Sequence, residues 1–185
     1  MNIDITTPGL SPVSLDSLKT FLRMNLTSTA EDELLTEWLE TATELLSEAT
    51  GYVPTATGFT LTLTEWPTDG VFCVPRRPIT SLTGITYRDS DSNEIDMSDA
   101  YVQLSSGRVQ LRHAKPEGDM DKITVEFTAG DVTTCPAKFL TVVKLLASHY
   151  YSNREAYTDT FLTELPLGFE FVTRQLRGSL GVGGK

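Results

Sequence analysis

Two histidines, two cysteines and several carboxylate clusters are the residues of this chain that could do chemistry. His149 stands next to Ser148 in SHYYSNREAY (148–157). Neighbours on a helix point about 100° apart, so the two cannot face each other as nucleophile and base. Asp159 could orient an imidazole, yet no nucleophile elbow or oxyanion-hole glycine pair accompanies it. His113, in RHAKPEGD, belongs to a charged strand end expected at the surface. RDSDSNEIDMSD places Asp89, Asp91 and Asn93 at the first, third and fifth positions of a calcium loop, but Glu94 stands where glycine is needed and Ala100 where a bidentate glutamate is needed. It reads better as a polar hairpin turn, because Asp, Ser and Asn satisfy local backbone groups. GSLGVGGK has one residue too many between Gly178 and Gly184 for a phosphate loop, and no hydroxyl residue follows Lys185. Cys73 and Cys135 match no metal spacing and read as reduced, half-buried thiols. No catalytic residue, metal site or cofactor is therefore expected.

Charge is distributed more tellingly. Glu33, Glu37, Glu40, Glu44 and Glu48 form one stripe at helical spacing, and no Lys or Arg lies among residues 30–50. Like charges at i,i+4 each cost about 0.2–0.5 kcal/mol, so the stripe is either a solvated face, a surface that repels polyanions, or one that meets a basic partner. Uniformly exposed carboxylates are poor general acids, since nothing raises their pKa. After Glu170 the chain carries Arg174, Arg177 and Lys185 but no acid, interleaved with Phe171, Leu176 and Leu180. That end, with Phe169, suits a docking peptide or a helix closed by cations at its C-terminus.

The elements that must position these residues alternate in period. Residues 1–13 read as an extended arm. SLDSLKTFLRM predicts a short helix with Ser14 as N-cap and Leu15, Leu18, Phe21 and Leu22 on one face. A long helix follows, opened by a capping box of Ser28 with Glu31 or Thr29 with Asp32 and closed by Gly51. Leu34, Leu35, Trp38, Leu39, Ala42, Leu45, Leu46 and Ala49 make its apolar stripe. GFTLTLTEW alternates Phe59, Leu61 and Leu63 with threonines, and VFCV, ITSLTGITYR, YVQL, RVQL and KITVEFTAG continue the strand pattern. Helical period returns after Pro136 with Phe139, Val142, Val143, Leu146, His149, Tyr150 and Asn153 on one side, and FEFVTRQLR predicts a last short helix.

The expected fold class is α+β: a small helical bundle, of two N-terminal helices plus a long C-terminal helix, with an antiparallel β insertion. One domain is expected over 1–185. Residues 14–57 and 131–177 would form its helical core, 58–130 its β-rich insertion and 178–185 a flexible tail. Apolar and charged contents of 39% and 22% suit a globular chain. The net charge of −10 argues against a general nucleic-acid binder, which needs clustered cations; the largest cluster is Arg76–Arg77. It also disfavours anionic lipid. MNIDITTPGL lacks the parts of a secretory signal, and no apolar run has bilayer-spanning length, so no membrane partner is expected.

VSLDSLKTFLRM, EDELLTEWLETATELLSEATG, PRRPITSLTGITYRDSDSN, VEFTAG, PAKFLTVVKLLASHYYSNREA and LPLGFEFVTRQLR, in succession, resemble the head–tail connector (adaptor) family of tailed bacteriophages. The resemblance runs from about residue 13 to 178. Its most specific features are a helix ending H-Y-Y-x-N-R-E-A and an L-P-x-G segment after a strand ending T-A-G. It implies a non-enzymatic virion protein of the neck, made in the host bacterial cytoplasm. Such a protein self-assembles as a ring, a dodecamer in the virion, beneath the portal protein. The ring extends the DNA channel and carries the stopper or tail-completion protein, and packaged DNA passes through without specific binding. The resemblance also implies that Phe169–Lys185 reaches the portal, which makes Phe169, Phe171, Arg174, Arg177 and Leu180 contact candidates.

A cyclic ring uses heterologous contacts, so each subunit needs two unlike complementary faces. Tyr150, Tyr151, Arg154 and Glu155 are candidates for that seam, because Tyr and Arg are enriched at interfaces. Glu37, Glu40 and Glu44 are candidates for the channel lining, where weak repulsion lets DNA slide. The alternatives are a packaging factor that binds DNA directly, another neck or tail-completion protein, and a small hydrolase that would need His113 or His149.

Overall fold

The computed structural model describes residues 1–67, 69–89, 91–97, 101–105, 108–111, 120–153 and 169–179. The fold is α+β. The chain divides into two compact units, one of Met1–Gly9 with Thr55–Asp131, the other of Leu10–Pro54 with Val132–Lys185.

The second unit is helical, with α1 (Leu15–Phe21), α2 (Asp32–Thr50), α3 (Ala137–Ser152) and α4 (Phe169–Ser179). Its core joins Leu18 of α1, Leu35, Leu39, Ala42 and Leu46 of α2, Phe139, Val143 and Leu146 of α3, and Leu176 of α4. The i, i+4, i+7, i+11 spacing on α2 is what aligns these four buried apolar residues on one face. Ser14 caps α1 as expected, its hydroxyl accepting from Ser17 N–H at 3.3 Å. Phe21 departs from expectation and lies exposed, while Lys19, in register with Leu15 and Leu22, takes the buried position. Leu45, expected on the stripe of α2, is also exposed.

Neither expected capping box forms at α2, whose N-cap residue Glu31 makes no side-chain cap. Ser28, Glu31 and Asp32 are drawn to tertiary partners instead. The Ser28 carbonyl and the Asp32 carboxylate both receive the Lys19 ammonium, at 2.7 and 2.5 Å, and Glu31 accepts from the Tyr151 hydroxyl at 3.3 Å. A buried cation needs those acceptors more than an exposed helix start needs a cap. At the other end Gly51, at φ 71°, ends α2 in the left-handed region as predicted. Pro136 sits one position earlier than expected, as the N-cap of α3, with its carbonyl accepting from Phe139 N–H at 2.9 Å.

The first unit is built from strands β1 (Asn2–Thr7), β2 (Thr57–Leu63), β3 (Val71–Cys73), β4 (Ile79–Asp89), β5 (Glu94–Asp96), β6 (Tyr101–Ser105), β7 (Arg108–Leu111) and β8 (Met120–Ala129). A five-stranded sheet has the order β1-β2-β8-β4-β5 and a three-stranded sheet the order β3-β7-β6, with every pairing antiparallel. Strand β2 alternates as read from the sequence, burying Phe59, Leu61 and Leu63 opposite Phe127, Val125 and Ile123 of β8. Phe59 and Phe127 stack with centroids 5.3 Å apart. The N-terminal segment, expected as an arm, is the edge strand of this sheet. Its register shifts between Ile5 and Thr7, bringing Thr7 opposite Gly58, where a Cβ would stand 2.9 Å from Thr6 Oγ1 and 3.2 Å from Thr7 Cβ. Glycine is what permits that approach.

Candidate interaction surfaces

The sites that resembled chemistry are closed by their own neighbours. Ser148 Oγ donates to the Leu145 carbonyl at 2.9 Å, and Asn153 Nδ2 lies 3.2 Å from His149 Nδ1, so no serine–histidine pair exists in α3. Asp159 and His113 lie outside the described residues. Asp89 accepts from the N–H groups of Asp91 and Asn93 at 3.0 and 2.8 Å and from the Asn93 side chain at 3.0 Å, which makes 89–93 a polar turn. The Asn93 side chain, then its backbone, holds the Asp89 carboxyl below the ordinary carboxylate range, and Arg88 at 2.9 Å does the same for Glu94. Among the described residues no group of three His, Cys, Asp or Glu could hold a metal, and no helix is long and apolar enough to cross a membrane. Cys73 is an exposed free thiol. Burial pushes the Cys135 thiol up to about 11, against a smaller opposing effect of a hydrogen bond with Tyr52.

The surfaces that remain are features of the helical unit. Glu33, Glu37, Glu40, Glu44 and Glu48 are all exposed along α2, opposite its buried leucines. At the end of α3, Tyr151 meets Trp38 edge-on, with centroids 5.8 Å apart, and donates to Glu31. Its ring thus holds α3 to the start of α2. Tyr150 is half-buried against the same core, and burial raises its phenol pKa. Arg154 and Glu155, expected beside them, lie outside the described residues, as does Leu180.

On α4, Phe169, Val172 and Leu176 turn inward, whereas Phe171 (65% exposed) and Arg174 face out. Arg177 Nε donates to the Ala49 carbonyl, one of the last of α2, so this cation closes a neighbouring helix. Buried Thr173 Oγ1 has no hydrogen-bond partner among the described residues.

Sequence reasoning missed the turn after α1. Arg23 takes φ 59° there, with Met24 N–H bound to Lys19 O at 2.9 Å and Arg23 N–H to Thr20 O at 3.1 Å. This is a Schellman ending with arginine in the usual glycine position. Phe21 and Leu26 flank it, 44% and 51% exposed. The signal available in the sequence was a lysine in register with Leu15 and Leu22 and no glycine at the helix end.

Strand pairing, helix packing and the two-unit division together define an α+β fold seen in solved particle structures. No protein-family model matches the sequence, and no curated protein does. Among the solved chains that share the fold are three at 20–21% identity, each comparison covering 96% of this chain and 95% of the other. They come from the virion of a native gene transfer agent particle (TM-score 0.78), the neck of an empty gene transfer agent particle computed with C6 symmetry (0.76), and the neck of a native one computed with C12 symmetry (0.71).

Proposed function

We propose that this chain is a structural component of the neck of a tailed-phage-like particle, an adaptor that forms a ring beneath the portal and joins head to tail. The observation that carries the reading is a fold match running nearly end to end in both chains, at a TM-score of 0.78, to a particle component. The sequence motifs that resemble connector proteins support it independently. In this reading the ring is a dodecamer, and it meets the portal on one side and a stopper or tail-completion protein on the other. Phe171 and Arg174, on the outward face of α4, are proposed for the portal side.

Packaged DNA passes through without specific binding. The net charge of −10 supports this, because a chain poor in clustered cations releases few counterions from a duplex. The channel-lining role of Glu37, Glu40 and Glu44 competes with the docking role argued below, and the charge swap described there separates the two.

The experiment is imaging of particles produced with and without this chain. Expected are heads that lack one layer of density at the neck and carry no tail. Complete necks in its absence would overturn the proposal.

A further inference from the structure

The turn between α1 and α2 combines three properties that a merely solvated turn does not need. It exposes two large apolar side chains, Phe21 and Leu26, within six residues; single exposed apolar residues are ordinary, but two flanking one turn are less so. Between them Arg23, exposed and at φ 59°, occupies a position where glycine carries less strain. The turn is also tied down from inside by Lys19, 2% exposed, through Ser28 O and Asp32. A surface held in one shape beforehand loses less entropy when it binds.

Charge complementarity indicates the occupant. Within residues 1–75 the only cations are Lys19, which is buried, and Arg23. The same helical unit presents the cation-free carboxylate stripe of α2, with Leu45, 41% exposed, three residues before Glu48. One unit thus carries an apolar-cationic surface and an acidic surface with an apolar member. These are the two unlike, complementary faces that a head-to-tail cyclic contact requires.

We infer that the α1–α2 turn, through Phe21, Arg23 and Leu26, docks on the carboxylate stripe of α2 in a second copy of this chain. The inference rests on the ring reading and gives it a subunit seam on surfaces other than the tyrosines of α3.

The test is sedimentation equilibrium of the full chain at low ionic strength. Arg23→Glu weakens self-association at least about tenfold, since close interfacial charge pairs couple by that much or more. Arg23→Gly, which suits the left-handed backbone and so keeps the fold, weakens it as well. Glu37→Arg, Glu40→Arg and Glu44→Arg are each combined with Arg23→Glu, and at least one combination restores association. The single Glu→Arg variants, with Arg23 kept, associate more weakly than wild type, whereas simple relief of the acidic charge predicts tighter association.

A wild-type chain that stays monomeric, an Arg23→Gly variant that associates like wild type, or absence of any restoring pair overturns the inference. None of these touches the neck reading, which the imaging experiment decides. A channel-lining stripe would instead give slowed DNA ejection on Glu→Arg substitution with no dependence on residue 23.

Discussion

Replacing Lys19 with methionine perturbs the helical unit at its least obvious point. The lysine side chain is 3% exposed and the Asp32 carboxylate that it meets at 2.5 Å is 28% exposed. Removing one partner of a buried ion pair costs about 3–5 kcal/mol, because the other charge is left buried. In Lys19→Met the abandoned groups are the Ser28 carbonyl and Asp32, whose Oδ1 is buried but whose side chain as a whole is 28% exposed, and the methionine recovers apolar contact. The expected loss is therefore about 2 kcal/mol. In Asp32→Leu the abandoned group is an ammonium almost cut off from water, and about 4 kcal/mol is expected. The double variant should lose less than the sum of the two, since an apolar pair of similar volume leaves no unpaired charge. Urea unfolding in a Trp66→Phe background isolates Trp38, whose ring packs on Tyr151 inside this unit. Equal losses in the two single variants, or a loss below about 0.5 kcal/mol for Lys19→Met, would refute the reasoning that exposure sets the cost.

Other outcomes follow from single contacts. With its thiol raised from 9.0 to about 11, Cys135 holds about a hundredfold less thiolate at pH 8, so maleimide should modify exposed Cys73 first; equal rates count against this. Asp89, whose folded pKa is lowered from 3.8, stabilises its turn above the unfolded value, and that contribution is lost as pH falls through the folded one. The amide shifts of Asp91 and Asn93 should accordingly titrate with a midpoint below 3.8, and a higher midpoint would contradict the hydrogen-bond assignment. Leu176→Ala, at a fully buried site, should cost about 3 kcal/mol, whereas Phe171→Ser should stay within about 0.5 kcal/mol; similar effects would mean that α4 is turned the other way.

The periodic elements were legible in the chain because periodicity is a local property. Alternating Phe59, Leu61 and Leu63 can bury one face only as a strand, and Leu35, Leu39, Ala42 and Leu46 align only on a helix. Gly51 and the 89–93 turn were legible for the same reason: their backbone requirements are met by residues within a few positions. The resemblance to connector proteins also lay in the sequence, carried by the order of its segments.

Only the tertiary structure decided which partner a polar side chain takes. Ser28, Glu31 and Asp32 spell a helix cap, yet they bind Lys19 and Tyr151, from α1 and α3. Arg177 reads as a cation on its own helix and instead closes α2. The edge position of β1 depends on β2, which lies some fifty residues away along the chain. Hydrophobic periodicity fixes which face of an element is buried. It does not fix which distant acceptor a buried cation meets, because that choice is made by long-range packing, where an unmet charge costs more than an unmade cap.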